Sequence, residues 1–218
     1  FNGKTFKSFD LTSLQNLDME ISAISVIEQD NNGNMWIGTE GGLLKYDGSK
    51  FHIMRNSDGL PNNWVRDILI DDNGIWACTG WGLVNIKDDI IKTIVPIDKK
   101  INLSFQFIDS ISKSKDGIYF IGTGNGVLFY DPTSFRKITS HEGLPIPNNW
   151  TRGILDLKLD RNGHLWAASG WDGIYKLSDE IILDHFNTEN SNIPINYTQQ
   201  MEFANDGSVW FVHAQGGV

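Results

Sequence analysis

Tryptophan and arginine side chains stand close together at two places in the sequence. Trp64 is followed by Arg66, and Trp150 is followed by Arg152. Aromatic planes pack against the apolar faces of ring-shaped ligands, and guanidinium groups donate paired hydrogen bonds to hydroxyls or carboxylates. This combination suits the recognition of sugars. After each pair, a glycine-rich segment carries one more tryptophan: Trp81 in the first case and Trp171 in the second.

Patterns for catalysis and for metal binding are weak in this sequence. The histidines do not follow His-x-x-x-His or a similar ligand spacing, and no nucleophile stands beside a candidate base. We therefore predict that the chain is not an enzyme and that it uses no metal and no cofactor. His213 is the histidine expected nearest to a central channel, where a lyase or hydrolase would need it. The five histidines are His52, His141, His164, His185 and His213.

Asp- and Asn-rich turns, such as the segment from Asp30 to Asn34, resemble calcium-binding loops at first sight. They lack the ligand spacing and the final bidentate glutamate of an EF-hand loop. Asn and Gly tolerate the positive φ of tight hairpins, so β-hairpin turns explain these segments better.

The turns belong to a motif that occurs five times: a polar glycine turn, a short apolar strand with an aromatic residue near its start, a second glycine turn and another strand. A period of 40 to 46 residues is typical of a propeller, because a small sheet cannot bury both of its faces unless it stacks against neighbours around an axis. Each aromatic anchor is expected to pack between blades. The anchors are Trp36, Trp76, Phe120, Trp166 and Trp210, at intervals of 40, 44, 46 and 44 residues.

We predict an all-β fold: a β-propeller of four-stranded antiparallel blades, with five blades' worth of sequence in a single domain over residues 1–218. The predicted blades cover about residues 21–54, 65–95, 108–138 and 151–186, with a fifth from 197–218 plus 1–9.

The predicted fifth blade contains strands from both ends of the chain, and this predicts how the ring closes. Phe1 to Phe9 match the outer strand of the first repeat, and Val218 stands at the position of Leu43. The N-terminal strand would therefore complete the last blade. An open array, or one completed by another chain, is the alternative.

In a propeller, the connectors that precede the inner strands lie on the same face as the turns between the second and third strands. The four tryptophans outside the anchor positions should therefore gather on one face. The alternatives are that Trp64 and Trp150 pack between blades, that Arg66 pairs with Asp67 or another carboxylate, and that the face binds protein. The same face would receive Glu40, Asn125, Asp172, His213 and Gln215. The predicted ligand-binding residues are Trp64, Arg66, Trp81, Trp150, Arg152, Trp171 and His213.

Composition limits the partners. The formal net charge is −9, and no basic cluster is present, which argues against nucleic acid and gives no reason to propose an anionic membrane surface as a partner. No apolar run approaches the ~18–20 residues of a membrane span. The chain starts at Phe1 without a visible signal peptide, which indicates a processed product or a piece of a longer protein.

The repeats resemble the two-component regulator propeller family, whose pattern includes Val-x-x-Ile-x-x-Asp-x-x-Gly-x-x-Trp-x-Gly-Thr. Val65, Ile68, Asp71, Gly74 and Trp76 carry it in the second repeat. The resemblance implies the periplasmic or extracellular sensory part of a receptor histidine kinase, with an oligosaccharide ligand as in several members. It also implies that a homodimer or a neighbouring propeller of a longer receptor is the partner. A protein-interaction scaffold is the alternative, and a propeller lyase or hydrolase is a third reading.

Overall fold

Short apolar runs separated by Asx-Gly turns form β-strands throughout the part of the chain that the structure describes. The structure is a computed structural model that describes residues 8–9, 23–96, 107–124, 126–132, 136–138, 153–178 and 181–213. A short 3-10 helix covers Asn56–Asp58. The strands of the first two blades are β1 Ile24–Gln29, β2 Met35–Thr39, β3 Gly42–Tyr46, β4 Phe51–Met54, β5 Val65–Asp71, β6 Gly74–Thr79, β7 Gly82–Lys87 and β8 Ile90–Pro96. The remaining strands are β9 Ile108–Lys113, β10 Tyr119–Thr123, β11 Gly126–Asp131, β12 Arg136–Ile138, β13 Ile154–Leu159, β14 Leu165–Ser169, β15 Ile174–Ser178, β16 Ile181–Phe186, β17 Thr198–Phe203 and β18 Val209–His213.

The strands form five antiparallel sheets. Four of them contain four strands in chain order, and the fifth is described for β17 and β18. The predicted all-β fold of four-stranded antiparallel blades is therefore confirmed, and five sheets fit five blades. The first strands of consecutive sheets, β1, β5, β9, β13 and β17, lie next to one another around a central cavity.

The core lies between the blades. One cluster joins Trp36 of the first blade to Ile68 of the second, and another joins Trp76 of the second to Ile111 of the third. Burial of these faces is the main stabilising term, since each side chain removes apolar surface from water that a single sheet would leave exposed. The remaining two clusters join the third blade to the fourth and the fourth to the fifth.

The expectation that every aromatic anchor is buried between blades is wrong for Trp210. Trp36 and Trp76 are each 3% exposed and Phe120 is 8% exposed, whereas Trp210 is 59% exposed. The physical reason is that, among the described residues, no further sheet covers the face of β18 that carries Trp210. Trp166 is half-buried.

The predicted closure by the N-terminal strand lies largely outside the described residues, because residues 1–7, 10–22 and 214–218 are not described. Phe9 packs edge-to-face against Tyr46 at 5.1 Å and against Phe51 at 5.8 Å, both on the outer strands of the first blade. Closure of the ring therefore stays a prediction.

In the described ranges, no helix is both long enough and apolar enough to cross a membrane.

Candidate functional site

The Asp-rich turns are held by their own hydrogen bonds. One oxygen of the Asp30 carboxylate accepts from the backbone N–H groups of Asn32 and Asn34, both at 2.9 Å. The other oxygen accepts from Asn34 Nδ2 at 2.8 Å and from Trp36 Nε1 at 2.9 Å. Gly33 completes the turn with φ of +84°. Burial acts to raise the pKa of Asp30, but the donated hydrogen bonds outweigh it and hold the pKa below its usual value.

The same arrangement returns in the fourth blade. Asp160 accepts from the backbone of Asn162 and His164 at 2.9 Å each and from Trp166 Nε1 at 3.2 Å. The Asp therefore ties the hairpin turn to the aromatic anchor six residues later. The carboxylate oxygens already accept protein N–H groups, which supports the hairpin interpretation of these turns.

The clearest concentration of binding chemistry lies where the second blade meets the third. The guanidinium of Arg66 sits between two aromatic rings, with its central carbon 3.7 Å from the centroid of Trp64 and 4.5 Å from that of Phe107. The same guanidinium pairs with the buried carboxylate of Asp109. The alternative that Arg66 pairs with a carboxylate is therefore the one that the structure shows. The partner is Asp109 and not Asp67. Stacking on two rings and pairing with one carboxylate fix the orientation of the arginine.

Trp81 lies at the same end of the second blade. The backbone N–H of Gly80 donates to the carbonyl oxygen of Trp64 at 3.0 Å, which ties the turn carrying Trp81 to the connector carrying Trp64. A Cβ on Gly80 would lie 3.6 Å from the Phe107 ring, so that ring packs against the turn. Trp81 is 60% exposed and Phe107 is 40% exposed. We call the two rings that enclose Arg66, those of Trp64 and Phe107, together with Trp81 on the adjoining turn, the aromatic patch.

Sequence reasoning missed Phe107 and Asp109, although a signal for both was present. Val65 and Ile108 begin the inner strands of the second and third blades. Phe107 therefore holds the position of Trp64, and Asp109 holds that of Arg66. Two neighbouring blades thus contribute the same two positions with residues that attract each other.

In the fourth blade the turn that carries Trp171 has its own support. The Asp172 carboxylate accepts a hydrogen bond from the Tyr175 hydroxyl, and His185 Nε2 lies 2.6 Å from the Asp172 carbonyl oxygen. The rings of Tyr175 and His185 stack with centroids 4.2 Å apart. Burial, with the hydrogen bond to Asp172, raises the pKa of Tyr175 above its usual value. Trp171 itself is half-buried.

The remaining predicted site residues fall elsewhere. His213 is 6% exposed and lines an apolar cavity of about 400 Å³ between the fourth and fifth blades, together with Trp166 and Phe186. Its Nδ1 lies 3.2 Å from the carbonyl oxygen of Tyr197. His213 therefore does not line the central cavity, which corrects the expectation that it lies near the channel.

Four predicted residues lie outside the described ranges: Trp150, Arg152, Asn125 and Gln215. However, β13 begins at Ile154, so Leu155 rather than Arg152 holds the strand position of Arg66. The likeness between the Trp-Arg segments of the second and fourth repeats thus does not extend to the strand register.

Carboxylates line the central cavity, which has a volume of about 460 Å³. A bulge interrupts the inner strand of the second blade between Val65 and Asp67 and that of the fourth between Ile154 and Asp156. Bulges re-aim side chains, and here they direct both carboxylates toward the following blade. Asp67 accepts from the backbone N–H of Ile111 at 2.8 Å.

Asp156 makes the equivalent bond to the backbone N–H of Met201 at 2.7 Å. Desolvation raises the pKa of Asp67 to about 7, against the opposing effect of its N–H donors, and the charge of Asp156 adds to the increase. Desolvation also raises the pKa of Asp156. These carboxylates link neighbouring blades, because each accepts a hydrogen bond from a backbone N–H group of the next blade.

Comparisons with known proteins agree with this architecture. Residues 19–41 match the family model of the two component regulator propeller. No curated protein sequence matches the chain. One similar structure is the extracellular domain of the hybrid two-component system BT3049 from B. thetaiotaomicron, with 25% identity and a TM-score of 0.71 over 86% of this chain and 26% of that chain.

Two further structures share the fold at lower identity. PorZ, a surface component of the type-IX secretion system of Porphyromonas gingivalis, has 18% identity and a TM-score of 0.68 over 88% of this chain and 31% of that chain. Virginiamycin B lyase from Staphylococcus aureus has 17% identity and a TM-score of 0.69 over 90% of this chain and 65% of that chain. The chain therefore spans less than a third of the length of the first two proteins. It is a β-propeller array whose first repeat matches, at residues 19–41, the model of the two-component regulator propeller family.

Proposed function

We propose that this chain is a non-catalytic, ligand-binding propeller module of a two-component signalling receptor, placed in the periplasm or outside the cell. The family match at residues 19–41 supports the signalling role, and the similarity to an extracellular receptor domain supports the location. In such a receptor, a histidine kinase on another segment of the polypeptide would carry the catalysis.

The observation that carries the binding proposal is the aromatic patch. Trp81 and Phe107 are large apolar side chains that stay exposed, and Phe107 lies against the arginine that Asp109 holds in place. Neighbouring exposed aromatic residues with a fixed polar group are typical of binding surfaces. A carbohydrate is the ligand class that this surface suits best, because sugar rings present apolar C–H faces to aromatic planes.

Arg66 has a supporting role in this proposal. Its charge is already neutralised by Asp109 and its faces are covered by Trp64 and Phe107. It therefore positions the two rings, and the proposed contacts with ligand come from the exposed aromatic planes rather than from a free guanidinium.

A protein-interaction scaffold is the second candidate, and the same exposed surface favours it, since aromatic patches also mark protein interfaces. A propeller lyase is less favoured. The histidine that such a reading would use, His213, is buried in an apolar cavity and already has the Tyr197 carbonyl oxygen as a neighbour.

Binding to a glycan array, followed by calorimetry on each positive glycan, tests the proposal. Trp81→Ala should weaken binding about 30-fold or more, as expected for a central aromatic contact. The melting temperature should stay close to that of the unchanged chain, because Trp81 is 60% exposed. Ile90→Ala is the matched control on the same blade: Ile90 is 70% exposed but lies on the outer strand β8, so binding should be unaffected.

The outcomes separate the candidates. If no glycan binds and Trp81→Ala instead abolishes self-association or capture of a defined protein partner, the scaffold function replaces the sensory one. If a glycan binds equally well to both variants, the aromatic patch is not its site.

A further inference from the structure

Asparagine–glycine pairs recur in this sequence. Asparagine is one of the thermolabile residues, and a following glycine makes it most reactive, because a residue without a Cβ lets its backbone nitrogen approach the asparagine side chain closely. In the described ranges all three asparagines of such pairs are exposed, so exposure does not distinguish them. These pairs are Asn32-Gly33, Asn73-Gly74 and Asn162-Gly163, whereas Asn2-Gly3 and Asn125-Gly126 include residues outside the described ranges.

The reaction at such a pair is an intramolecular displacement that needs only water and hydroxide. The glycine N–H loses its proton to hydroxide, and the nitrogen attacks the side-chain Cγ of the asparagine. A carbon–nitrogen bond forms, the side-chain amide nitrogen takes up a proton and leaves as ammonia, and a cyclic succinimide remains. Water then opens the ring at either carbonyl group and gives aspartate or isoaspartate. The reaction therefore requires an asparagine side chain that is free to rotate and a glycine backbone with room to move.

The turns of the first and fourth blades meet both requirements. Among the described residues, the side-chain amides of Asn32 and Asn162 have no hydrogen-bond partner, and only their backbone N–H groups are engaged. A Cβ added to Gly163 would meet no atom within 4 Å, and one added to Gly33 would meet a single side-chain nitrogen at 4.0 Å. Each glycine N–H donates one hydrogen bond, of 3.0 Å, to the carbonyl oxygen of the Asp three residues earlier. That bond lies at the exposed tip of a hairpin, where local opening costs little.

The turn of the second blade meets neither requirement. The side chain of Asn73 is held by the third blade, because its Nδ2 donates to the Tyr119 hydroxyl at 2.9 Å. Gly74 is the first residue of β6 and pairs with Asp71 in the strand ladder. A Cβ added to Gly74 would lie 2.5 Å from the carbonyl oxygen of Ile86, so this backbone is closely packed. The rotation and the backbone movement that the reaction needs are both opposed here.

From these contacts we infer that Asn32 and Asn162 are sites of spontaneous deamidation and isoaspartate formation, and that Asn73 is protected by its place between two blades. Each event replaces a neutral amide with a carboxylate beside the carboxylate of Asp30 or Asp160. Isoaspartate also lengthens the backbone by one carbon atom, within the segment whose N–H groups bind that carboxylate. The modified turn should therefore lose part of its hold on the aromatic anchor of the blade.

Peptide mass spectrometry tests the inference on the folded 218-residue chain, incubated at mildly alkaline pH and physiological temperature. Electron-transfer fragmentation separates aspartate from isoaspartate at each site. The same chain in concentrated urea gives the unfolded rate of each asparagine as its own reference. In the folded chain, Asn32 and Asn162 should keep most of their unfolded rates. The hydrogen bond to Tyr119 should by itself slow Asn73 by roughly 2- to 10-fold, and the close packing of Gly74 should slow it further.

Two controls accompany the measurement. Asn192 is exposed but is followed by Ile193, so it should not react measurably. Tyr119→Phe removes the acceptor of the Asn73 amide and should speed the reaction at Asn73 while leaving that at Asn162 unchanged. The inference is wrong if either Asn32 or Asn162 reacts as slowly as Asn73 in the folded chain, or if Asn73 keeps its unfolded rate there. Reaction at Asn192 as fast as at Asn32 would also overturn it, because the glycine would then not be the determinant.

Discussion

Asp71 offers a sharp test of how the blades are held together, because it combines a local and a cross-blade role. Like Asp30, it binds its own turn and anchor, accepting from Asn73 N–H at 2.8 Å and from Trp76 Nε1 at 3.2 Å. Unlike Asp30, it also accepts from Lys113 Nζ and the Tyr119 hydroxyl of the next blade, both at 2.5 Å. Comparing Asp71→Asn with Asp30→Asn therefore isolates the cross-blade bonds.

The magnitude follows from the number and burial of these bonds. Hydrogen bonds to charged groups contribute about 1.5–3 kcal/mol each, and the partial exposure of Lys113 places its bond at the low end. Loss of the turn contacts should cost about 1 kcal/mol in both variants. The free energy of unfolding should therefore fall by about 3 kcal/mol more in Asp71→Asn, a melting-temperature difference of about 6–12 °C for a chain of this size.

The assay is thermal and urea unfolding at neutral pH, followed by far-ultraviolet circular dichroism and tryptophan fluorescence. Burial acts to raise the pKa of Asp71, but the bonds from Lys113 and Tyr119 outweigh it, so the folded-state pKa is lowered. The stabilisation is therefore complete above about pH 4 and is lost as the pH falls through the folded-state pKa. Equal losses for the two variants at neutral pH, or a difference that persists in acid, would refute the cross-blade assignment.

Three further predictions concern the central cavity, the blade interfaces and the aromatic patch. Because the raised pKa of Asp67 makes the folded state bind more protons, the unchanged chain should lose about 2 kcal/mol between about pH 5.5 and about pH 8, and Asp67→Asn should lack this loss in pH-dependent urea unfolding. Ile68→Ala should lower the free energy of unfolding by about 2–4 kcal/mol, whereas Ile27→Ala should cost less than about 1 kcal/mol, because only the former is buried; calorimetry compares them. Arg66→Met should cost about 3 kcal/mol because the buried carboxylate of Asp109 loses its guanidinium partner, and Asp109→Asn in the same chain should recover part of that loss.

Much of the fold could be predicted because the signals are local and repeated. An Asp, a Gly and a Trp at a fixed spacing within one hairpin predict the turn that they form. In the structure, Trp36 Nε1 donates directly to the Asp30 carboxylate. Five copies at nearly constant spacing then determine how sheets stack, since each copy leaves two faces to cover. Burial at the two ends of the array could not be predicted in this way, because it depends on what lies beyond the repeat.

The site could be predicted only in part, because its contacts cross a blade boundary. Trp64 and Arg66 are prominent in the sequence, but the partners that hold the arginine, Phe107 and Asp109, are about 43 residues away and look ordinary by themselves. Pairing at that distance follows from strand register, which a motif search does not use. The register also separates Arg152 from Arg66, because Leu155 occupies the matching place in β13.

The aromatic patch is consequently a property of the order of the blades rather than of any one blade. The second blade supplies Trp64, Arg66 and Trp81, and the third supplies Phe107 and Asp109. Exchanging the third blade for the fourth would remove both the second aromatic ring and the carboxylate, since Gly153 and Leu155 stand at those positions. A repeat array can thus keep its hairpins and anchors constant while a single boundary acquires a surface of its own. That boundary is where a ligand would distinguish this chain from other arrays with the same fold.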